Sequence, residues 1–474
     1  MNRLRSLWSR FLRFFQPAGM VRPELVRGEI PPAKTVYRTA IDMAWPSTVE
    51  SVLVGLVGMV DTVMVGTLGS DAIAAVGITN QPKLIVLAVI MSLNVGVTAI
   101  VARRTGEGDR VSANRVLKQV IILCTVLTAV MSVAAFIFAR PLLLFAGAGL
   151  DIIDDATIYF QIIVAGLIFN SLSMTINAAQ RGAGNTRISM STNLTANLVN
   201  VVFNYLLIGG NLGFPRLGVA GAAVATVLGS AVSLGMAIAS LLHRDRFLTV
   251  LEKEPWRFDG TVLKSLANIS SSAFVEQVFM RIGFFIYAKI VASLGTTDFA
   301  THQICMNIMS LSFTFGDGLS VASAALVGQS LGAKRPDMAI IYGKTGQRMA
   351  FAISGLLSVV FFLLAPQLIM LFTDEAAIIR DGTPLIYIIA IVVYAQISQV
   401  VFSGCLRGAG DTKYVAVVSM ISIMVVRPTL SWILCYPAGL GLIGAWYGVL
   451  IDQYIRLFAT MPRFSSGKWM TIKV

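Results

Sequence analysis

The sequence predicts an all-α polytopic membrane protein: twelve transmembrane helices forming two six-helix lobes, related by a pseudo-two-fold axis along the membrane normal. Three observations lead to this fold class. The 474 residues are 56% hydrophobic and only 13% charged, with a mean hydropathy of +0.78; a soluble domain carries about 25% charged residues. Apolar runs long enough to cross a bilayer core of ~30 Å start near residues 41, 80, 119, 158, 191 and 219, and again near 267, 303, 347, 384, 415 and 440. The second set repeats the first. This composition excludes a soluble enzyme, a DNA-binding regulator and a disordered chain.

The repeat fixes the symmetry. At an offset of 226, Arg181-Gly182-Ala183-Gly184-Asn185-Thr186 matches Arg407-Gly408-Ala409-Gly410-Asp411-Thr412. Glu50 matches Glu276, Leu68-Gly69 matches Leu294-Gly295, Ala74 matches Ala300 and Gly106 matches Gly332. Gly218 to Gly221 matches Gly441 to Gly444 at an offset of 223. Six spans per copy is an even number, so both copies insert with the same sense and their axis lies along the normal. Two such bundles suit a central cavity and alternating access. The paired RGAG turns read as structural, with glycine permitting the turn and arginine anchoring to headgroups.

Charge sets the orientation. With both termini cytoplasmic, 29 of the 37 Lys and Arg fall on inner segments, while Asp151, Asp154, Asp374 and Glu375 collect outside, as the positive-inside bias requires. Lys83, Arg140, Arg216 and Arg380 are assigned to outer ends. The net charge of +13 is therefore membrane anchoring and not a nucleic-acid footprint. The expected organisation is a basic amphipathic N-terminus (1–40), an N-lobe (41–242), a cytoplasmic linker (243–266), a C-lobe (267–461) and a cytoplasmic tail (462–474), in a plasma membrane. In the N-terminus, Leu4, Leu7, Trp8, Phe11, Leu12 and Phe15 recur at helical spacing with arginines mostly opposite, which reads as an interfacial helix. No small-residue cleavage site follows it. Cys124, Cys305, Cys405 and Cys435 lack CxxC spacing and read as buried thiols.

Few residues can carry transport chemistry. A carboxylate within a span costs at least ~2.5 kcal/mol at the helix centre and marks a functional site by default. The first span holds two, Glu50 and Asp61, with Pro46 able to kink the helix before them. The fifth span places Asn193, Asn197, Asn200 and Asn204 at i, i+4, i+7 and i+11, one continuous stripe that must face a wet cavity or other helices. Thr226, Asn170 and Asn177 can join the same interior. The repeat-mate of Asp61 is Tyr287, and those of the four amides are Ser419, Ile423, Val426 and Leu430. Acid and stripe thus exist in the first half alone, which favours an ion or proton site there. Glu50 and Glu276, being mates, either share a structural role or couple ions. In the second half, Glu276 or Asp317 pairs with Arg281, or the two acids form a second coupling site. Asp42, Asp452 and Arg456 are expected to reach the interface.

The stretches VGMVDTVMVGTLG, QRGAGNT, GVAGAAVAT and GLSVASAALVGQSLGA resemble the multidrug and toxic compound extrusion (MATE) transporters over about residues 40 to 460. The acid in the first span is most similar to the branch of the bacterial DNA-damage-inducible protein F. The resemblance implies two six-helix lobes forming a V, and export of organic cations and other toxic compounds driven by Na⁺ or H⁺ entry. It implies a bend proline fifteen residues before a first-helix Asp, met by Pro46 and Asp61. It also implies an Asn and an Asp four apart on the fifth helix and a Thr on the sixth. Asn200 and Thr226 match; Asn204 departs, with an amide where the branch has an acid. One negative charge is lost from any Na⁺ cage.

The expectation is a secondary-active antiporter for organic cations and amphipathic drugs, working as a monomer among membrane lipids, with no cofactor, no nucleic acid and no enzymatic activity. Asp61 binds the coupling ion, H⁺ in preference to Na⁺, with Asn200, Asn204 and Thr226 around it. No metal is expected beyond a Na⁺ at Asp61. Asn193, Asn197, Asn177, Asn170 and Glu50 line the substrate cavity, Glu276 and Asp317 are second-site candidates, and Pro46 is the hinge. The alternative is a flippase for lipid-linked glycans from the wider superfamily.

Overall fold

The computed structural model describes residues 16–252 and 259–472, and no strand occurs among them. The interfacial helix expected over Leu4 to Phe15 lies outside the described residues. The first half forms α1 (Ala33–Gly66), α2 (Ser70–Glu107), α3 (Arg110–Ile137), α4 in two pieces (Ile153–Ala165 and Leu167–Gly182), α5 (Thr186–Gly209) and α6 (Gly218–Leu241). The second forms α7 (Gly260–Ala292), α8 (Thr296–Gly332), α9 (Pro336–Leu363), α10 (Ala376–Gly408), α11 (Thr412–Met420, a π-helical turn Ile421–Val426, then Arg427–Cys435) and α12 (Gly441–Ser465). The expected twelve helices are thus present among the described residues.

Length and apolarity qualify eight of these as membrane spans, and the two pieces of α4, bent by 45°, make a ninth. The other three, α5, α7 and α12, are long enough at 24, 33 and 25 residues. They fall short in apolarity because they carry the amide stripe, Glu276 with Arg281 and Lys289, and Asp452 with Arg456. The α4 bend falls at Gly166, which packs directly against Val227 of α6. Local signals set the ends. Gly108 closes α2 in the left-handed region (φ 70°), which glycine adopts without strain. Asp109 then caps α3 by accepting from Ser112 N–H at 3.0 Å, and bonds from Ser112 hold its carboxyl below the usual carboxylate range.

The chain divides into two compact units, one comprising Val49–Ser270 and the other Ser271 onward together with the described residues before Val49. The divisions fall inside α1 and α7, not at residues 41 and 267. The reason lies in the leading segments. In the second unit, residues 16–32 lie on the start of α9: Arg27 N–H donates to Asp337 at 3.1 Å, Arg335 to Glu29 O at 3.0 Å, and Lys344 Nζ to Met20 O at 2.6 Å. Further along, Thr48 of α1 is in direct contact with Gly318 of α8. In the first unit the chain leading into α7 lies on the start of α3 in the same manner. Asn114 accepts from Thr249 N–H at 2.8 Å, and Lys118 Nζ donates to Glu252 O at 2.6 Å. Lys118 and Lys344 are themselves mates at the offset of 226.

The repeat is equally visible in helix contacts. A Cβ on Gly182 would stand 2.8 Å from Thr98 O, and one on Gly408 would overlap Ala324 O, the position 226 further on. Gly184 (φ 90°) and Gly410 (φ 92°) make the RGAG turns, as expected. Their arginines do not reach for headgroups, however. Arg181 pairs with Glu50 (3.4 Å) and Arg407 with Glu276 (2.6 Å).

One register needs correction. Gly221 packs on Leu207 O and Gly444 on Leu434 O, so α11 has run one residue ahead of α5. The π-helical turn absorbs that residue, since its i→i+5 bonding holds one more residue per turn. The mates of Asn200 and Asn204 are therefore Arg427 and Ser431, not Val426 and Leu430.

Arg427 is almost wholly buried. With Arg456 it brackets Asp452, at 2.5 and 3.1 Å, and its guanidinium lies 5.0 Å from the Phe284 ring. Asp452, 0% exposed, sits in the core of α12 and does not reach the interface as expected. The expectation misjudged it because Arg427, twenty-five residues away, supplies the counter-charge. All four cysteines are buried and free.

Candidate functional site

Asp61 lies on α1 facing α5. Asn204 Nδ2 donates to Asp61 Oδ1 at 2.6 Å. With the Asn200 amide turned so that both ends meet complementary groups, its nitrogen donates to Asp61 Oδ1 at 2.7 Å. Its oxygen then accepts from the Thr226 hydroxyl at 3.2 Å. The four residues expected to act together are thus joined. Two amide donors converge on one carboxylate.

A cavity of about 350 Å³ opens at this point. Asp61, Asn204 and Thr226 form part of its wall, and so do Asn80, Lys83 and Tyr159. The sequence reading missed these last three. Lys83 was assigned to an outer end, but it sits well inside α2, just after Pro82. A lysine embedded in an apolar span was the available signal, because such a cation ordinarily lies near a partner. Tyr159 and Asn80 carried no comparable signal.

The stripe on α5 continues away from Asp61. Asn197 has a buried amide nitrogen without a hydrogen-bond partner. Asn193 donates to Glu50 at 2.5 Å, and Ser189 donates to the same oxygen at 3.1 Å. Glu50 therefore sits in an ion-paired cluster with Arg181, apart from the residues lining the Asp61 cavity. Asn177 on α4 is fully buried, with neither end of its amide bonded, and Asn170 is half-buried on the same helix. Neither lines that cavity.

In the other unit, Glu276 is 3% exposed and bonded to Arg407, so its partner is not Arg281. Asp317 lies on an exposed part of α8. Pro46 is enclosed within a continuous α1, two residues before the unit division at Thr48.

The chain belongs to the MatE family, whose model matches twice, over residues 46–206 and 272–433. It is a membrane transporter of that family and not an enzyme. A protein of Thermotoga maritima described as "Probable multidrug resistance protein NorM" is 29% identical over 446 residues, covering 94% of this chain and 95% of the relative. Among solved structures, an outward-facing multidrug resistance MATE family transporter of the MOP superfamily superposes with a TM-score of 0.85 at 22% identity, covering 94% of this chain and 98% of that one. A MATE protein in a bent conformation gives 0.84 at 21%, over 92% and 98%. The fold is therefore that of the MATE transporters.

Proposed function

We propose that the chain is a secondary-active exporter of organic cations and other amphipathic drugs, acting as a monomer and driven by H⁺ entering through Asp61. The observation that carries this reading is the Asp61 carboxylate, held by Asn200 and Asn204 at the wall of the 350 Å³ cavity. Ionised, it accepts both amide donors and offers a cationic drug the one carboxylate on a wall that Lys83 shares. Protonated, it no longer matches those donors, and α1 rearranges near Pro46 to expel the drug. Asn197, half-buried with an unbonded amide nitrogen, suits the polar surface that an amphipathic substrate needs.

Two features favour H⁺ over Na⁺. A hard cation wants several oxygen ligands, and this cavity offers one carboxylate where the related branch has two. Lys83 shares the same wall, and its ammonium opposes a second resident cation. The acid fifteen residues after Pro46 also supports membership of the DNA-damage-inducible-protein-F branch. The excess of Lys and Arg on alternate segments supports a plasma-membrane orientation with both termini cytoplasmic.

The test is organic-cation uptake into inverted vesicles under a pH gradient without Na⁺, comparing the native chain with Asp61→Asn. Uptake that the variant abolishes is expected. Uptake unchanged in the variant overturns the role of Asp61, and uptake that appears only with Na⁺ overturns the choice of ion.

A further inference from the structure

At the end of α12 the chain folds back through Ser466 and Gly467, and residues 16–32 cross over it on their way to α1. Between them lies a cavity of about 240 Å³. Arg22 and Lys344 give it two cations. Met20, Leu25, Phe464 and Met470 give it an apolar wall. No carboxylate lines it among the described residues. Lys344 also stands within Coulomb range of Arg22, so the two cations of the lining reinforce one another. The Lys344 ammonium has three donors and spends one on Met20 O.

The repeat supplies an internal control. Lys118, the mate of Lys344, performs the same task on the other leading segment by donating to Glu252 O. There the cations come with acids: Arg110 pairs with Glu252 at 3.4 Å and Arg115 with Asp259 at 3.9 Å. At the start of α9, Asp337 is already held by Arg335 at 2.9 Å. Two copies of one device therefore differ in their counter-charge. One carries it in its own chain, and the other leaves a hollow beside its cations. Cationic donors above an apolar wall are the chemistry that accepts a phosphate bearing an acyl body.

We propose that this cavity binds the phosphate-bearing headgroup of an anionic phospholipid, which fastens residues 16–32 to the start of α9 and the end of α12. The bound phosphate replaces the carboxylates of the repeat-related device. Because residues 16–32 lead directly into α1, the lipid steadies the end of the helix that carries Pro46.

The test uses the full chain in detergent, titrated with phosphatidylglycerol, with phosphatidylcholine or with inorganic phosphate, and reads the thermal unfolding midpoint. Phosphatidylglycerol is expected to raise the midpoint, while phosphatidylcholine and phosphate leave it unmoved. Lys344→Gln and Arg22→Gln are each expected to weaken the apparent affinity about five-fold, the loss of one cation near a lipid surface. Arg22→Gln removes no hydrogen bond to residues 16–32, so it separates lipid binding from folding. An equal response to phosphatidylglycerol in the native chain and both variants overturns the site. A Lys344-dependent response to inorganic phosphate alone overturns the lipid and assigns the site to a soluble phosphate.

Discussion

Asn204 donates to Asp61 across 143 residues of sequence, and Asn193 donates to Glu50 across the same 143. Helices α1 and α5 therefore run parallel and in register for three turns, about 16 Å at 1.5 Å per residue. An acid stands at each end of that stretch, but the two meet different surroundings. Glu50 is neutralised by Arg181 and matched by an identical pair in the other repeat. Asp61 has two amides and an open cavity. This contrast supports a structural role for Glu50 and the coupling role proposed for Asp61.

Adding a second acid tests the ion choice. Asn204→Asp places a carboxylate where the amide now donates to Asp61. With two carboxylates and the Asn200 and Thr226 oxygens nearby, the site gains the hard-ligand character that Na⁺ prefers. Vesicle uptake is expected to become Na⁺-stimulated in this variant and not in the native chain. The absence of any Na⁺ response in the variant contradicts the reading of Asn204.

Lys83 is expected to act as the electrostatic guard of the cavity. Lys83→Gln removes a positive charge from the wall it shares with Asp61. Competition of Na⁺ with drug uptake, measured at fixed pH, should then appear or strengthen. A variant as indifferent to Na⁺ as the native chain would place the ammonium too far away to matter.

The Glu276–Arg407 pair is expected to be structural. Removing one partner of a buried ion pair leaves an uncompensated charge and costs about 3–5 kcal/mol. Arg407 is partly exposed, so the lower end or less applies here. Glu276→Gln should lower the unfolding midpoint while folded protein still transports. Adding Arg407→Gln should recover part of the loss, the signature of direct coupling in a double-mutant cycle. Loss of transport at full stability would instead return Glu276 to the coupling candidates.

Gly182 and Gly408 are expected to tolerate no side chain. A Cβ at Gly408 overlaps the Ala324 carbonyl, and one at Gly182 meets Thr98 O at 2.8 Å. Both obstacles are backbone, so helices must separate, at a cost of about 1–3 kcal/mol or more. Gly408→Ala should be the worse of the two in yield of folded protein. Gly55→Ala is the control, since nothing lies within 4 Å of a Cβ there.

The sequence alone determined what depends on spacing along one chain. Apolar run length gave the helices, the 226-residue offset gave the repeat, and the i, i+4, i+7, i+11 pattern of Asn193 to Asn204 gave a stripe on one face. Asp61, Asn200, Asn204 and Thr226 were nameable for that reason, and the structure brings them together. Tertiary structure decided which charge meets which. Arg181 and Arg407 looked like headgroup anchors, Lys83 like an outer-end lysine, and Asp452 like an interfacial acid. Each instead has its counter-charge or its cavity formed by another helix, from 22 residues away for Lys83 and Asp61 to 131 for Arg181 and Glu50. Coulomb attraction acts through space, and a burial penalty depends on what packs around the group, so neither can be read from neighbours in sequence. The π-helical turn in α11 makes the same point: one additional residue is invisible in a polar-apolar pattern, yet it turns Arg427 into the counterpart of Asn200.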